Sequence, residues 1–129
     1  MGAGKTTGIL EKTFKCAAAI VAGALVKFGA DDDHVVVATA VGDLIIGVTT
    51  HATTDAEQAV RVQMLGIADV KTAGVIGRGV LVTTNGAGLG VAAAPAGGVN
   101  NSVIGRALKT AASGDIIPVM LNIGMVQGA

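Results

Sequence analysis

Aromatic residues are nearly absent from this chain, which has no tryptophan, no tyrosine and two phenylalanines, Phe14 and Phe28. A core has to be built instead from Val, Ile, Leu and Ala. A carbohydrate- or ligand-binding module, which presents Trp or Tyr platforms in a concave site, has little to draw on. Cysteine is equally scarce: Cys16 stands alone, so neither an internal disulfide nor a cysteine-based metal site can form within the chain. A charge excess of either sign is missing too. Nine basic residues balance nine acidic ones, and this removes the electrostatic footprint expected of a nucleic-acid or anionic-membrane binder. No membrane-spanning run is present. The stretch CAAAIVAGALV (16–26) is eleven residues long, too short to cross a bilayer. No clear small-x-small cleavage site closes the run before Lys27, and Glu11 interrupts the basic stretch ahead of it, so it reads poorly as a secretory signal. The charge-free stretch 79–105 is broken by glycines, Pro95, Asn100 and Asn101. A soluble protein is expected.

What remains is aliphatic and glycine-rich. Of 129 residues, 51% are hydrophobic and 20 are glycine, with a mean hydropathy of +0.68. That is a strand-and-turn composition in a chain the length of one domain. With no net charge and no covalent staple, it describes a subunit whose surface is meant to be covered. Short β-branched or aliphatic segments at 35–40, 44–50, 60–70, 75–84, 89–94, 103–109 and 116–123 are separated by turn residues. In AVRVQML, Val60, Val62 and Met64 share one face and Arg61 and Gln63 the other, the pattern of a half-buried strand. Asn85-Gly86 suits a tight hairpin turn. Thr54 and Glu57 form a capping box that predicts one or two helical turns. Segment 16–26 fits a buried strand or a short helix equally well. The fold class expected is all-β, a compact barrel or sandwich with one or two short helical turns.

An internal duplication organises the chain. GALVKFGADDDHVVVATAVGDLIIGV (23–48) aligns with GVLVTTNGAGLGVAAAPAGGVNNSVIGR (79–106), so that Leu25-Val26 matches Leu81-Val82 and Ile46-Gly47 matches Ile104-Gly105. Each half then returns through a V-x-φ strand, at Val62 and at Val119. The halves, about 23–65 and 79–123, are expected to bury one shared apolar face within a single domain at 16–129. The pairs Leu25/Leu81 and Ile46/Ile104 should occupy equivalent buried positions.

Candidate chemistry is thin. GAGKTT carries only the end of a phosphate-binding loop: Gly4, Lys5 and Thr6 stand without the first glycine, and Gly8 falls where the helix should begin. Gly2 and Thr6 also satisfy a myristoylation pattern, without a polybasic partner. ADDDHV (30–35) fails as a calcium loop, because counting from Asp31 puts Val36 at the sixth position and Gly42 at the twelfth. It reads as a hairpin turn. His34 and His51 share no ligand spacing, Ser102 and Ser113 lack a nucleophile elbow, and nothing flanks Cys16 to lower its pKa. No catalytic, cofactor-binding or metal-binding residue is expected, and the protein is read as a non-enzyme with no cofactor and no small-molecule substrate.

The order G-x-L-V, V-x-x-A-T-A, I-I-G-V, V-R-V, a second G-x-L-V-T, then I-G-R-A-L-x-T-A-A-S-G-D-I-I-P-V-x-L resembles the small head-decoration, or capsid cement, proteins of tailed bacteriophages, over roughly residues 16–123. The resemblance implies a β-rich virion subunit, a homotrimer, on the outer surface of an icosahedral shell. There it would bind the major capsid protein at capsomer junctions. It brings no catalytic or cofactor residue. Residues 1–15 fall outside the likeness and outside the duplication, and are expected to form a flexible arm that orders on the capsid or on a neighbouring subunit through Ile9, Leu10 and Phe14.

Overall fold

Alternation of β-branched and polar residues, punctuated by glycine, favours strands along the chain. The computed structural model describes residues 7–128, and among them there are nine strands and no helix. They are β1 (Thr7–Cys16), β2 (Leu25–Phe28), β3 (His34–Val37), β4 (Ile45–Thr49), β5 (Ala59–Lys71), β6 (Leu81–Thr84), β7 (Gly90–Ala92), β8 (Asn101–Ala107) and β9 (Ile116–Val126). The protein is all-β, as its composition implies.

The strands run in the order β1-β3-β2-β4-β5, and β1 also pairs with β5, which closes a five-stranded barrel. The order continues β5-β9-β8-β6-β7, and a parallel bridge between Thr72 and Gly90 brings β7 back to the end of β5. Both rings therefore use the same set of pairings. The first has a parallel contact Cys16↔Val35, a hairpin β2–β3 and the pairs Val26↔Gly47 and Thr49↔Val62. The second has Thr72↔Gly90, a hairpin β6–β7 and the pairs Val82↔Gly105 and Ala107↔Val119. The 13-residue β5 serves both. Its first part pairs with β1 and β4, its last part with β9, and Gly66, at φ 105°, lies between.

Two apolar clusters fill the structure. Phe14, Cys16, Ile20, Ala24, Val26, Val35, Val60 and Val62 pack inside the first barrel. The larger cluster fills the second barrel with Val70, Val82, Ile104, Ile117 and Val119, and extends to Leu25, Ile45 and Val48 on the outer face of the first. That continuity joins the barrels. The two I-G dipeptides have a common steric cause. A Cβ on Gly47 would lie 2.5 Å from the Gln63 carbonyl oxygen and 2.6 Å from Val62 Cγ1, and one on Gly105 would overlap the Met120 carbonyl. Gln63 pairs with Val48 and Met120 with Arg106, so both glycines admit the neighbouring strand at the same place in their barrels.

Several expectations need correction. From Thr7 onward the supposed arm is β1, hydrogen-bonded along β5 from Thr7↔Ile67 to Lys15↔Ala59. Phe14 is a core residue, 4% exposed, packed edge-to-face on Phe28 with ring centroids 5.8 Å apart. Register shifts on either side of Leu10 break the alternation that would have put Leu10 on the same face as Phe14. Thr54 and Glu57 make no helix. The backbone N–H groups of Thr54 and Asp55 donate instead to Gln58 Oε1, at 2.8 and 3.3 Å, and Glu57 sits at φ 67°, which a right-handed helix cannot contain. Asn85-Gly86 does not form a two-residue turn. Asn85 Oδ1 accepts from the N–H groups of Ala87 and Leu89, and the positive φ falls at Gly88. Segment 16–26 leaves the sheet after Cys16 and re-enters it at Leu25, irregular in between. Leu25 and Ile104 are fully buried, but Leu81 and Ile46 only half so. Lys5, and with it the truncated phosphate loop and Gly2, lies outside the described residues.

Candidate interaction surface

At the seam of the two barrels β1, β5 and β9 come together with apolar side chains outward. Leu10 pairs with Leu65, and Ile67 pairs with both Thr7 and Met120. Ile9, Leu65, Gly66, Ile67, Met120 and Leu121 line a shallow, open apolar depression of about 410 Å³. Ile9 is 70% exposed, and Leu10, Leu65 and Met120 are each about half exposed. The irregularities around Leu10 and the left-handed Gly66 turn these side chains away from both cores. Buried Gln63 holds the kink, its side-chain amide donating to the carbonyls of Leu65 and Ile67 at 3.3 and 2.9 Å.

The strip continues along β9. Ile117, Val119 and Leu121 point into the core and Met120 points out. Beyond Met120 the strand leaves β5 and pairs only with β8, Leu121 opposite Gly105 and Gly124–Val126 opposite Asn101–Val103, and Ile123 and Met125 are exposed. No charged residue occurs from Ile116 to the end of the chain. The flanking charges are engaged elsewhere: Arg61 lies 3.6 Å from Glu11, and Arg106 donates to the Gly79 carbonyl. Asp69, two residues along β5 from Ile67, is half-buried. Burial raises its carboxyl above the ordinary aspartate value, and its Oδ1 has no hydrogen-bond partner among the described residues. A contiguous apolar, charge-poor surface of this kind is suited to docking against protein.

Of the three anchors proposed from sequence, Ile9 and Leu10 belong to this strip and Phe14 does not. Leu65, Ile67 and Met120 escaped sequence reasoning because each sits on a strand that otherwise reads as core. The signal available was the charge-free end of the chain, with apolar residues at both parities of the strand period.

Cys16 is buried, its Sγ–H donating to the Asp55 carbonyl at 3.0 Å. His51 Nε2 accepts from the Arg61 backbone N–H, and its Nδ1 faces the Ala52 carbonyl, a loop-building role. Ser102 is buried at the start of β8, its carbonyl accepting from Thr83 Oγ1, and Ser113 is an exposed turn residue. Asp31 organises the β2–β3 turn, accepting the N–H groups of Asp33 and His34. Among the described residues no group of His, Cys, Asp or Glu could hold a metal ion.

No protein-family model and no curated protein matches the sequence. Among solved structures, the chain is similar to the crystal structure of the head fiber gp8.5 N base in bacteriophage phi29. The likeness has a TM-score of 0.68 at 20% sequence identity, over 88% of this chain and 93% of that one. At that identity it is the fold that the two chains share, across nearly the whole of both.

Proposed function

We propose that this chain is a structural protein of a tailed-phage head, seated on the outer capsid surface and strengthening the shell where capsomers meet. The observation that carries this reading is the fold shared with a phage head fiber base along almost its full length. The sequence resemblance to capsid decoration proteins points to the same location. The work required is burial and shape. A ligand that binds only the closed lattice stabilises it by mass action at many sites at once, and needs no catalytic group. The proposal includes a homotrimer, the major capsid protein as partner and no enzymatic activity. The strip of Ile9, Leu65, Ile67 and Met120 is the docking face.

A second reading is that the domain serves as the base of an appendage, and the description of the phi29 neighbour as a base favours it. Both readings put the domain on the shell exterior. The test is binding of purified protein to undecorated capsids, followed by image reconstruction of the decorated particle. Saturable binding to a symmetry site, weakened at least about tenfold (1.4 kcal/mol) by Met120→Lys, is the expected result. Equal affinity for Met120→Lys would remove the strip from the interface, and no binding at all would overturn the proposal. Density projecting outward from the domain would select the base reading.

A further inference from the structure

One histidine in the first barrel is held through both ring nitrogens. His34, the first residue of β3, places Nδ1 2.7 Å from Asp31 Oδ1 and Nε2 2.8 Å from Glu57 Oε2. Asp31 belongs to the turn between β2 and β3, and Glu57, 23 residues beyond His34, to the loop between β4 and β5, so the ring links two separate connections. The imidazole is only 20% exposed, against 58% and 63% for the two carboxylate side chains.

A neutral imidazole carries one N–H and one lone pair, and only the imidazolium donates from both nitrogens. Both contacts are therefore hydrogen bonds only when His34 is charged. On deprotonation one nitrogen must turn a lone pair toward a carboxylate. Asp31 is the partner that keeps its bond, because its Oδ1 is fixed in place by the backbone N–H groups of Asp33 and His34. Glu57 has less to hold it. Its backbone N–H reaches the Cys16 carbonyl at 2.7 Å, but its own φ is 67°, the one positive φ outside glycine among the described residues. Such a conformation persists only where surrounding contacts impose it.

We propose that His34 is a proton-operated clamp: the imidazolium fastens Glu57 and the β4–β5 loop to the β2–β3 turn, and the neutral ring releases Glu57 while keeping Asp31. The other charged groups on the elements meeting here are Asp32 and Asp33 in the turn, Asp55 in the loop and Lys15, which is opposite His34 in β1. Carboxylates outnumber the single ammonium, so the setting favours the charged ring. The hydrogen bond to Asp31 first, and that to Glu57 second, raise the His34 pKa above its ordinary value of 6.5. The sign follows. The clamp is fully closed below the unfolded histidine value and opens as pH rises through the higher folded one.

Nitrogen-detected NMR of the histidine rings from pH 5 to 9, with backbone amide shifts followed in parallel, tests this. The expected result is a His34 titration above 6.5, a neutral form protonated at Nδ1, and amides of residues 55–58 moving with the same midpoint. Glu57→Gln should lower that midpoint, and His34→Gln should leave the loop amides insensitive to pH. A His34 midpoint unchanged by Glu57→Gln, or loop amides that ignore its titration, would overturn the clamp. A neutral ring protonated at Nε2 would overturn the release of Glu57.

Discussion

The two barrels share one plan of strand pairing and differ in how each is completed. The first strand of barrel one, β1, is supplied by the start of the chain, whereas the second barrel borrows its first strand from the far part of β5. The contents differ accordingly. Barrel one encloses Phe14 and carries on its outer face Leu25, which the second barrel covers. Barrel two is filled with aliphatic side chains, and its equivalent of Leu25, Leu81, is only half-buried. A repeated topology thus fixes where a side chain points relative to its own ring, and the arrangement of the rings decides whether that position is buried. This explains why Leu25 and Leu81, matched in sequence and in register, part company in burial.

The largest effect is expected at β1. Deleting residues 1–13 removes the partner of β5 along most of barrel one. We expect loss of cooperative unfolding in that half, read by hydrogen exchange, with β6–β9 protected longer. Unchanged thermal unfolding would mean that β1 is dispensable, as an arm would be.

Gly47 and Gly105 occupy equivalent positions in the two barrels. Gly105→Ala should cost more than about 3 kcal/mol and Gly47→Ala about 1–3 kcal/mol in urea unfolding, since each methyl meets the backbone of the facing strand. Gly105 is the worse because its Cβ overlaps a carbonyl outright. A loss under about 0.5 kcal/mol at either site, the range of an ordinary surface change, would remove the shared steric cause.

Leu25→Ala should cost about 2–5 kcal/mol, as a fully buried leucine does. Leu81→Ala should cost clearly less, about 1 kcal/mol, because water already reaches its side chain. Equal losses would show that the two rings are covered alike.

Charge gives the smallest difference. Lys27 of β2 donates to Asp43 Oδ2 at 2.9 Å, and the position that corresponds to Lys27 in barrel two is Thr83. The Lys27 ammonium first, and the Thr39 N–H second, hold the Asp43 carboxyl below its ordinary value. A depressed pKa adds stability that is present above the unfolded value and lost as pH falls through the folded one. Asp43→Asn should remove about 0.5–1 kcal/mol at pH 7, allowing for solvent screening, and flatten the acid limb of the stability profile. An acid limb as steep in Asp43→Asn as in the parent would assign it to other carboxylates.

Composition and period alone determined that the protein is all-β, where most strands lie and which residues recur between the halves. These are local properties: β-branched residues alternate, glycine and asparagine punctuate, and Ile46-Gly47 and Ile104-Gly105 repeat because each glycine meets the same kind of neighbour. The turn at ADDDHV was legible for the same reason, since Asp31 binds backbone groups two and three residues away. Other features required the tertiary structure. Thr7–Cys16 has no helical or strand signal strong enough to stand alone, and becomes a strand because the distant β5 offers it a free edge from Thr7↔Ile67 to Lys15↔Ala59. Ile9 and Leu10 were the part of the apolar strip legible in the sequence. Leu65, Ile67 and Met120 joined it only where Gly66 kinks β5 and three distant strands meet. The sequence sets the periodicity of each strand. Which face is covered depends on what packs against it, and only the closed rings decide that.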